Sequence, residues 1–116
     1  MRLADKVESK FLVPLRGDKS LSSGRLHSAD KWKWLQNELN IHFGGYSKSR
    51  TLMCGEWSDP ETGEIIGDES REYYVDIRES QLSHMYNLIT EVAVKFQQKC
   101  IRFVYKGDVY YIENKE

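Results

Sequence analysis

Apolar positions along the chain follow two periods, and the changes of period mark the elements. Residues 10–15, Lys-Phe-Leu-Val-Pro-Leu, are apolar on both faces, as expected of a strand with neighbours on both sides. Pro14 cannot donate to a ladder, which puts it at the end of that strand or at a bulge. From Ser28 or Asp30, either a suitable N-cap, the pattern becomes helical. Trp32, Leu35, Leu39 and His42 or Phe43 share one stripe, Trp34 and Ile41 widen it, and Gly44-Gly45 supply the stop. Residues 50–57 read as a second strand and residues 59–63, Asp-Pro-Glu-Thr-Gly, as a turn. Residues 72–77 alternate cleanly, with Tyr73, Val75 and Ile77 on one side and Glu72, Tyr74 and Asp76 on the other. Behind Ser80, residues 81–99 carry Leu82, Met85, Ile89, Val92 and Phe96 at helical spacing. Ile101, Phe103 and Tyr105 then begin a hairpin that turns at Lys106-Gly107-Asp108 into residues 109–112.

The order is β-α-β-β-α-β with one short strand added at the C-terminus. It predicts an α+β, ferredoxin-like sandwich, an antiparallel sheet with two helices on one face. At 116 residues the chain reads as a single domain, residues 1–116, with no repeat and no linker. An apolar share of 40% against 30% charged residues indicates an ordered, soluble protein. No apolar run approaches the length of a membrane span and residues 1–6 lack a signal-peptide core, so no membrane partner and a cytoplasmic location are expected.

Recognised chemistry leaves few traces. Cys54 and Cys100 form no CxxC pair and read as two reduced, buried thiols. His27, His42 and His84 show no metal-ligand spacing, and neither a GxSxG nor a Walker motif occurs. No metal, cofactor or catalytic residue is therefore assigned.

Charge is more informative. Residues 1–50 hold ten Lys/Arg and five Asp/Glu, and residues 51–116 hold seven and thirteen, so a basic half meets an acidic one behind an overall charge of -1. The balance excludes a polycation that coats nucleic acid. General nucleic-acid binding is not expected either, because the many tyrosines are not set in an RNA-recognition pattern. Two features of this distribution suggest sites. The loop of residues 16–27 joins a strand to a helix and carries Arg16, Lys19 and Arg25, the kind of loop that cradles an anion. Seven acids between residues 56 and 72 surround a turn; they read as a solvated hairpin or partner surface, or alternatively as Mg²⁺ ligands of a phosphodiesterase.

Trp34-Leu35, Phe43-Gly44-Gly45-Tyr46, Gly55-Glu56-Trp57 and an acidic turn closing at Gly63 together resemble a pattern in small, uncharacterised bacterial and phage proteins. The resemblance covers about the middle third of the chain. It implies a mobile-element or accessory-gene product, glycines at 44, 45 and 55 that serve backbone geometry, and a placed role for Trp57; it carries no activity over.

With no catalytic dyad in view, these features lead to a small non-enzymatic binding or regulatory protein. It would sequester a nucleotide-like anionic ligand or block a host protein. The expected ligand site joins Arg16, Lys19 and Arg25 to Tyr46, Arg50 and Trp57, with guanidinium groups on phosphate oxygens and rings stacked on a base. Aromatics on the last hairpin suggest a homodimer. The alternatives are a metal-dependent phosphodiesterase or nuclease using the carboxylates of residues 56–68, and a structural or assembly protein.

Overall fold

In the computed structural model, which describes all 116 residues, the apolar first segment forms β1 (Val7–Pro14). The chain continues through α1 (Ala29–Phe43), a two-residue β2 (Ser47–Lys48), β3 (Met53–Ser58), β4 (Ile65–Ile77), α2 (Leu82–Lys95), β5 (Cys100–Tyr105) and β6 (Asp108–Glu113). β1 is the central strand its two apolar faces required: it pairs antiparallel with β4 on one side and β5 on the other. β6 extends the sheet beyond β5, while β2 and β3 both pair with β4. The neighbour order β3-β4-β1-β5 is the split βαβ pairing expected, so the ferredoxin-like α+β arrangement forms as read, with six antiparallel strands.

The helices cover one face, α1 against β4 and α2 against β5 and β6. Between them and the sheet lie Phe11, Val13, Tyr73, Val75, Ile77, Ile101 and Phe103, packed on Leu35, Leu39, Met85, Ile89 and Phe96. The alternation in residues 72–77 thus resolves as predicted for its buried side. Its other side is not uniformly wet. Glu72 is only 6% exposed, and the hydroxyl of Tyr74 donates to its Oε1. That hydrogen bond stabilises Tyr74 in its protonated form and raises its pKa above the ordinary tyrosine value.

α1 ends where glycine was expected to end it. Gly44 takes φ 80°, and its N–H donates to Asn40 O at 3.0 Å. Because a side chain is strained at that angle, Gly44→Ala should lower stability by about 1 kcal/mol, read as a fall in Tm of a few degrees. α2 ends four residues before the predicted boundary. Gln97 adopts φ 52°, and the N–H of Gln98 reaches Ala93 O at 2.8 Å, closing a Schellman turn with glutamine where glycine is usual.

One expectation about isolated side chains is corrected. Cys54 and Cys100 are free but exposed, not buried. His42 and His84, distant in sequence, meet with ring centroids 4.4 Å apart, and His42 Nε2 lies 2.7 Å from Glu38 Oε2.

β3 and the first half of β4 form an arm outside the sandwich. Every residue of β3 is exposed, and the chain is elongated, 49 × 29 × 29 Å.

Candidate functional site

The segment after β1 is an anchored structure. Leu15 N–H donates to Glu69 O at 2.9 Å, which ties the loop to β4, and Arg16 bridges to Leu26, so residues 16–26 fold back as an irregular hairpin. Gly17 N–H reaches Arg25 O at 3.1 Å, Asp18 N–H reaches Gln97 O at 2.8 Å, and the Gln98 amide donates to Arg16 O at 2.7 Å. Within the hairpin, Asp18 Oδ1 accepts from both the N–H and the hydroxyl of Ser20. This network holds the basic loop beside the base of the arm.

A cleft of about 360 Å³ lies between loop and arm, within the size range of small-ligand sites. The loop side contributes Leu15, Arg16 and Leu26; the arm contributes Cys54, Gly55, Glu56, Gly67, Asp68 and Glu69. Strand register explains the arm's share, because Cys54 pairs with Glu69, Gly55 with Asp68 and Glu56 with Gly67. Neither Gly55 nor Gly67 has a positive φ, so the backbone does not require glycine at either place. A Cβ built on Gly55 would meet nothing within 4 Å. Two glycines facing each other's neighbours across a strand pair weaken it without a conformational need, the pattern of a place kept open for close approach.

The cleft's charges are one guanidinium, Arg16, and three carboxylates, Glu56, Asp68 and Glu69. Asp68 has its titration displaced. Burial pushes its carboxyl above the ordinary aspartate range; the Trp57 indole N–H, donating to Oδ2 at 3.0 Å, pulls it back in part, and the negative charge of Asp18 adds to the rise. Arg16 makes one weak contact, from Nη1 to Gly24 O at 3.4 Å.

The six ligand residues expected from the sequence are distributed unevenly around this geometry. Arg16 lines the cleft, and Trp57 stands beside it through Asp68. Lys19 and Arg25 are exposed on the loop that forms one wall. Tyr46 lies elsewhere: it packs edge-on against Tyr73, ring centroids 5.7 Å apart, and lines a second cleft of about 280 Å³ with Phe43, Gly44, Gly45 and Tyr74. Asp68 and Tyr74 lie six positions apart along β4, roughly 20 Å of strand. Arg50 is exposed in the connection between β2 and β3. Sequence reasoning did not gather Cys54, Gly55, Glu56, Gly67, Asp68 and Glu69 into one site. The available signal was Gly55 and Gly67, each interrupting a strand-like stretch on either side of the turn.

No family model and no curated protein matches the chain. Solved structures do. A phage SAM lyase in complex with S-methyl-5'-thioadenosine superposes with a TM-score of 0.68 at 14% identity, over 97% of this chain and 94% of that one. A phage SAM lyase in the apo state gives 0.65 at 16% identity, over 100% and 96%. The chain shares their fold. These neighbours are enzymes, and they overturn the expectation of a non-enzymatic protein that sequesters a ligand or blocks a host factor. No three His, Cys, Asp or Glu side chains are grouped as a metal site.

Proposed function

We propose that this chain is a lyase acting on S-adenosylmethionine, with the cleft between the first loop and the β3–β4 arm as its active site. The observation that carries the reading is the cleft itself, an open, glycine-floored site edged by three carboxylates and one guanidinium, in a chain that shares the phage SAM lyase fold along its whole length. S-adenosylmethionine carries a sulfonium and an ammonium as well as a carboxylate. Glu56, Asp68 and Glu69 suit the cations, and Arg16 suits the carboxylate. The ligand so implied is nucleotide-like, as the sequence suggested, but cationic rather than anionic.

Comparing S-adenosylmethionine with methylthioadenosine locates the bond that breaks. The methyl and adenosyl groups stay on sulfur, so the S–Cγ bond to the amino-acid chain is the one cleaved; its electron pair turns the sulfonium into a neutral thioether, while an oxygen of the substrate's own carboxylate bonds to Cγ and closes a lactone, so no water or other co-reactant is consumed. Positive charge disappears at sulfur as the reaction proceeds. A carboxylate close to it holds the substrate more strongly than the thioether, which favours capture of the cation and release of the neutral fragment.

Incubating the purified chain with S-adenosylmethionine should release methylthioadenosine, measured by liquid chromatography and mass spectrometry. Asp68→Asn keeps an acceptor for Trp57 but removes the charge, and should lower kcat/KM by about tenfold or more. No release by the wild-type chain would sink the assignment.

No helix is long and apolar enough to cross a membrane. The cytoplasmic placement belongs to this proposal, and so does a homodimer, supported by the exposed Val109, Tyr110 and Tyr111 of the edge strand β6 and readable by native mass spectrometry.

A further inference from the structure

We propose that Trp57 is a positioning residue, its indole N–H holding one oxygen of Asp68 so that the other is presented to the cleft. The inference rests on the lyase reading above and adds to it the part played by Trp57, for which the sequence suggested stacking on a ligand.

The geometry separates the two roles. Trp57 pairs with Ile66 and Gly55 with Asp68, so the indole reaches diagonally across one step of the ladder on the same face. Its Nε1 lies 3.0 Å from Asp68 Oδ2. That bond is the only hydrogen bond of the Asp68 side chain, and no ion pair competes for it. Asp68 lines the cleft, whereas Trp57 does not. Oδ1 is therefore left for a ligand, with the rotamer fixed from outside the cleft by a group that makes no other hydrogen bond. A carboxylate on an open, glycine-interrupted arm would otherwise sample several rotamers, and restricting it lowers the ordering cost of binding.

The charged groups around Asp68 are Asp18 of the loop, Arg16 at the loop wall, and Glu56 and Glu69 of the arm. Against that background the indole N–H favours the ionised carboxylate. Its removal raises the pH at which Asp68 ionises, because hydrogen bonding to the charged form is lost.

Trp57→Phe keeps the ring and deletes the donor. With S-adenosylmethionine as substrate, kcat/KM should fall about tenfold in Trp57→Phe, and the acidic limb of its pH profile should move to higher pH. Adding Trp57→Phe to Asp68→Asn should cost less than it does in the wild type, since the two act as one unit. In the wild-type protein the indole N–H resonance should shift as Asp68 titrates, and that response should vanish in Asp68→Asn, a reading independent of turnover and of any loss of stability. An active wild type with an unchanged Trp57→Phe profile, or an indole resonance indifferent to pH, would overturn the positioning role alone. A wild type that releases no methylthioadenosine overturns the lyase reading and this role with it.

Discussion

Gly55→Val should leave the protein folded, and more stable than the wild type, while cutting methylthioadenosine release on the order of a hundredfold. Stability rises because glycine in a strand is unfavourable by about 0.5–1 kcal/mol and valine suits a pleated, exposed strand. Gly55 is not at a positive φ and a Cβ there meets no atom within 4 Å, so neither the backbone angle nor the first side-chain atom opposes the substitution. Tm should rise by roughly 2–6 °C. Activity falls because the isopropyl group occupies space beside Asp68, its partner in the strand register, at the cleft's floor. The two changes of opposite sign distinguish a site from a surface. If the glycine merely belongs to a solvated hairpin, release of methylthioadenosine stays at the wild-type rate while Tm still rises. Gly44→Ala is the control, a glycine held by backbone angle, expected to lose stability and keep activity.

The opposition of charge along the sequence takes a physical form in this cleft. Arg16 comes from the basic N-terminal half, and Glu56, Asp68 and Glu69 come from the acidic half; the loop's attachment to β4 through Leu15 and Glu69 puts them side by side. An isolated acidic hairpin repels anions and binds cations without selectivity. A guanidinium across the cleft changes that into a site with two poles, suited to a ligand that carries both signs. Asp68 shows that this arrangement opposes stability locally, since its carboxyl is held above the ordinary range by burial and by Asp18. Protonation of Asp68 favours the folded state, so its unfavourable contribution is present at neutral pH, fades as pH falls through its raised folded value, and is gone below the ordinary aspartate value.

Most parts of this molecule that could be read from sequence have a buried side, although β3, exposed throughout, was also read as a strand over residues 50–57. β1, both helices and residues 72–77 leave a period because one face of each must leave water, and their order was enough to identify the split βαβ arrangement. The arm has no buried face to leave a period. Residues 65–71 therefore carried no strand pattern, and β4 is longer than its alternating half suggested. β2 is two residues long and equally silent. The end of α2 was missed because Gln97, not glycine, takes the left-handed angle. The basic loop and Trp57 were grouped in one expected ligand site. Glu56, Asp68 and Glu69 were noticed as acids but not as one wall of a cleft, since strand register, not spacing, brings them to Gly55 and Gly67. The lyase activity proposed above corresponds to no motif in the sequence. Cleaving a sulfonium, which already carries a good leaving group, does not demand a nucleophile–base dyad that a sequence pattern would reveal.

Trp32→Ala should remove about 3–5 kcal/mol of stability, a large part of the 5–15 kcal/mol typical of a domain, and lower Tm by on the order of 10–20 °C. Trp32 is 7% exposed at the meeting point of the first loop, both helices and β4. Phe96 lies 4.9 Å from its ring centroid, His27 5.8 Å and Tyr73 6.5 Å, and the Arg71 guanidinium sits 4.1 Å above it. Trp34, two positions on, is only partly buried, with Lys95 over its ring at 4.8 Å, so Trp34→Ala should cost distinctly less. The same cluster holds His27 neutral. Burial, with the Lys31 charge second, pushes its pKa down to about 4, and Nε2 has no hydrogen-bond partner. A histidine whose folded pKa lies below its unfolded value favours unfolding when protonated. Wild-type stability should therefore fall as pH drops from about 6.5 to about 4, and His27 adds no further loss below that. The full shift corresponds to about 3 kcal/mol, and solvent screening of a half-buried ring reduces this to about 1–2 kcal/mol. Opening the cluster with Trp32→Ala hydrates His27 and should flatten its contribution, while Asp68 acts in the opposite sense in both proteins and cancels in their difference. Denaturant unfolding of the two proteins between pH 7 and 4 reads this directly. Parallel stability curves would show that Trp32 does not shield His27, whereas curves converging toward acid pH are the expected result.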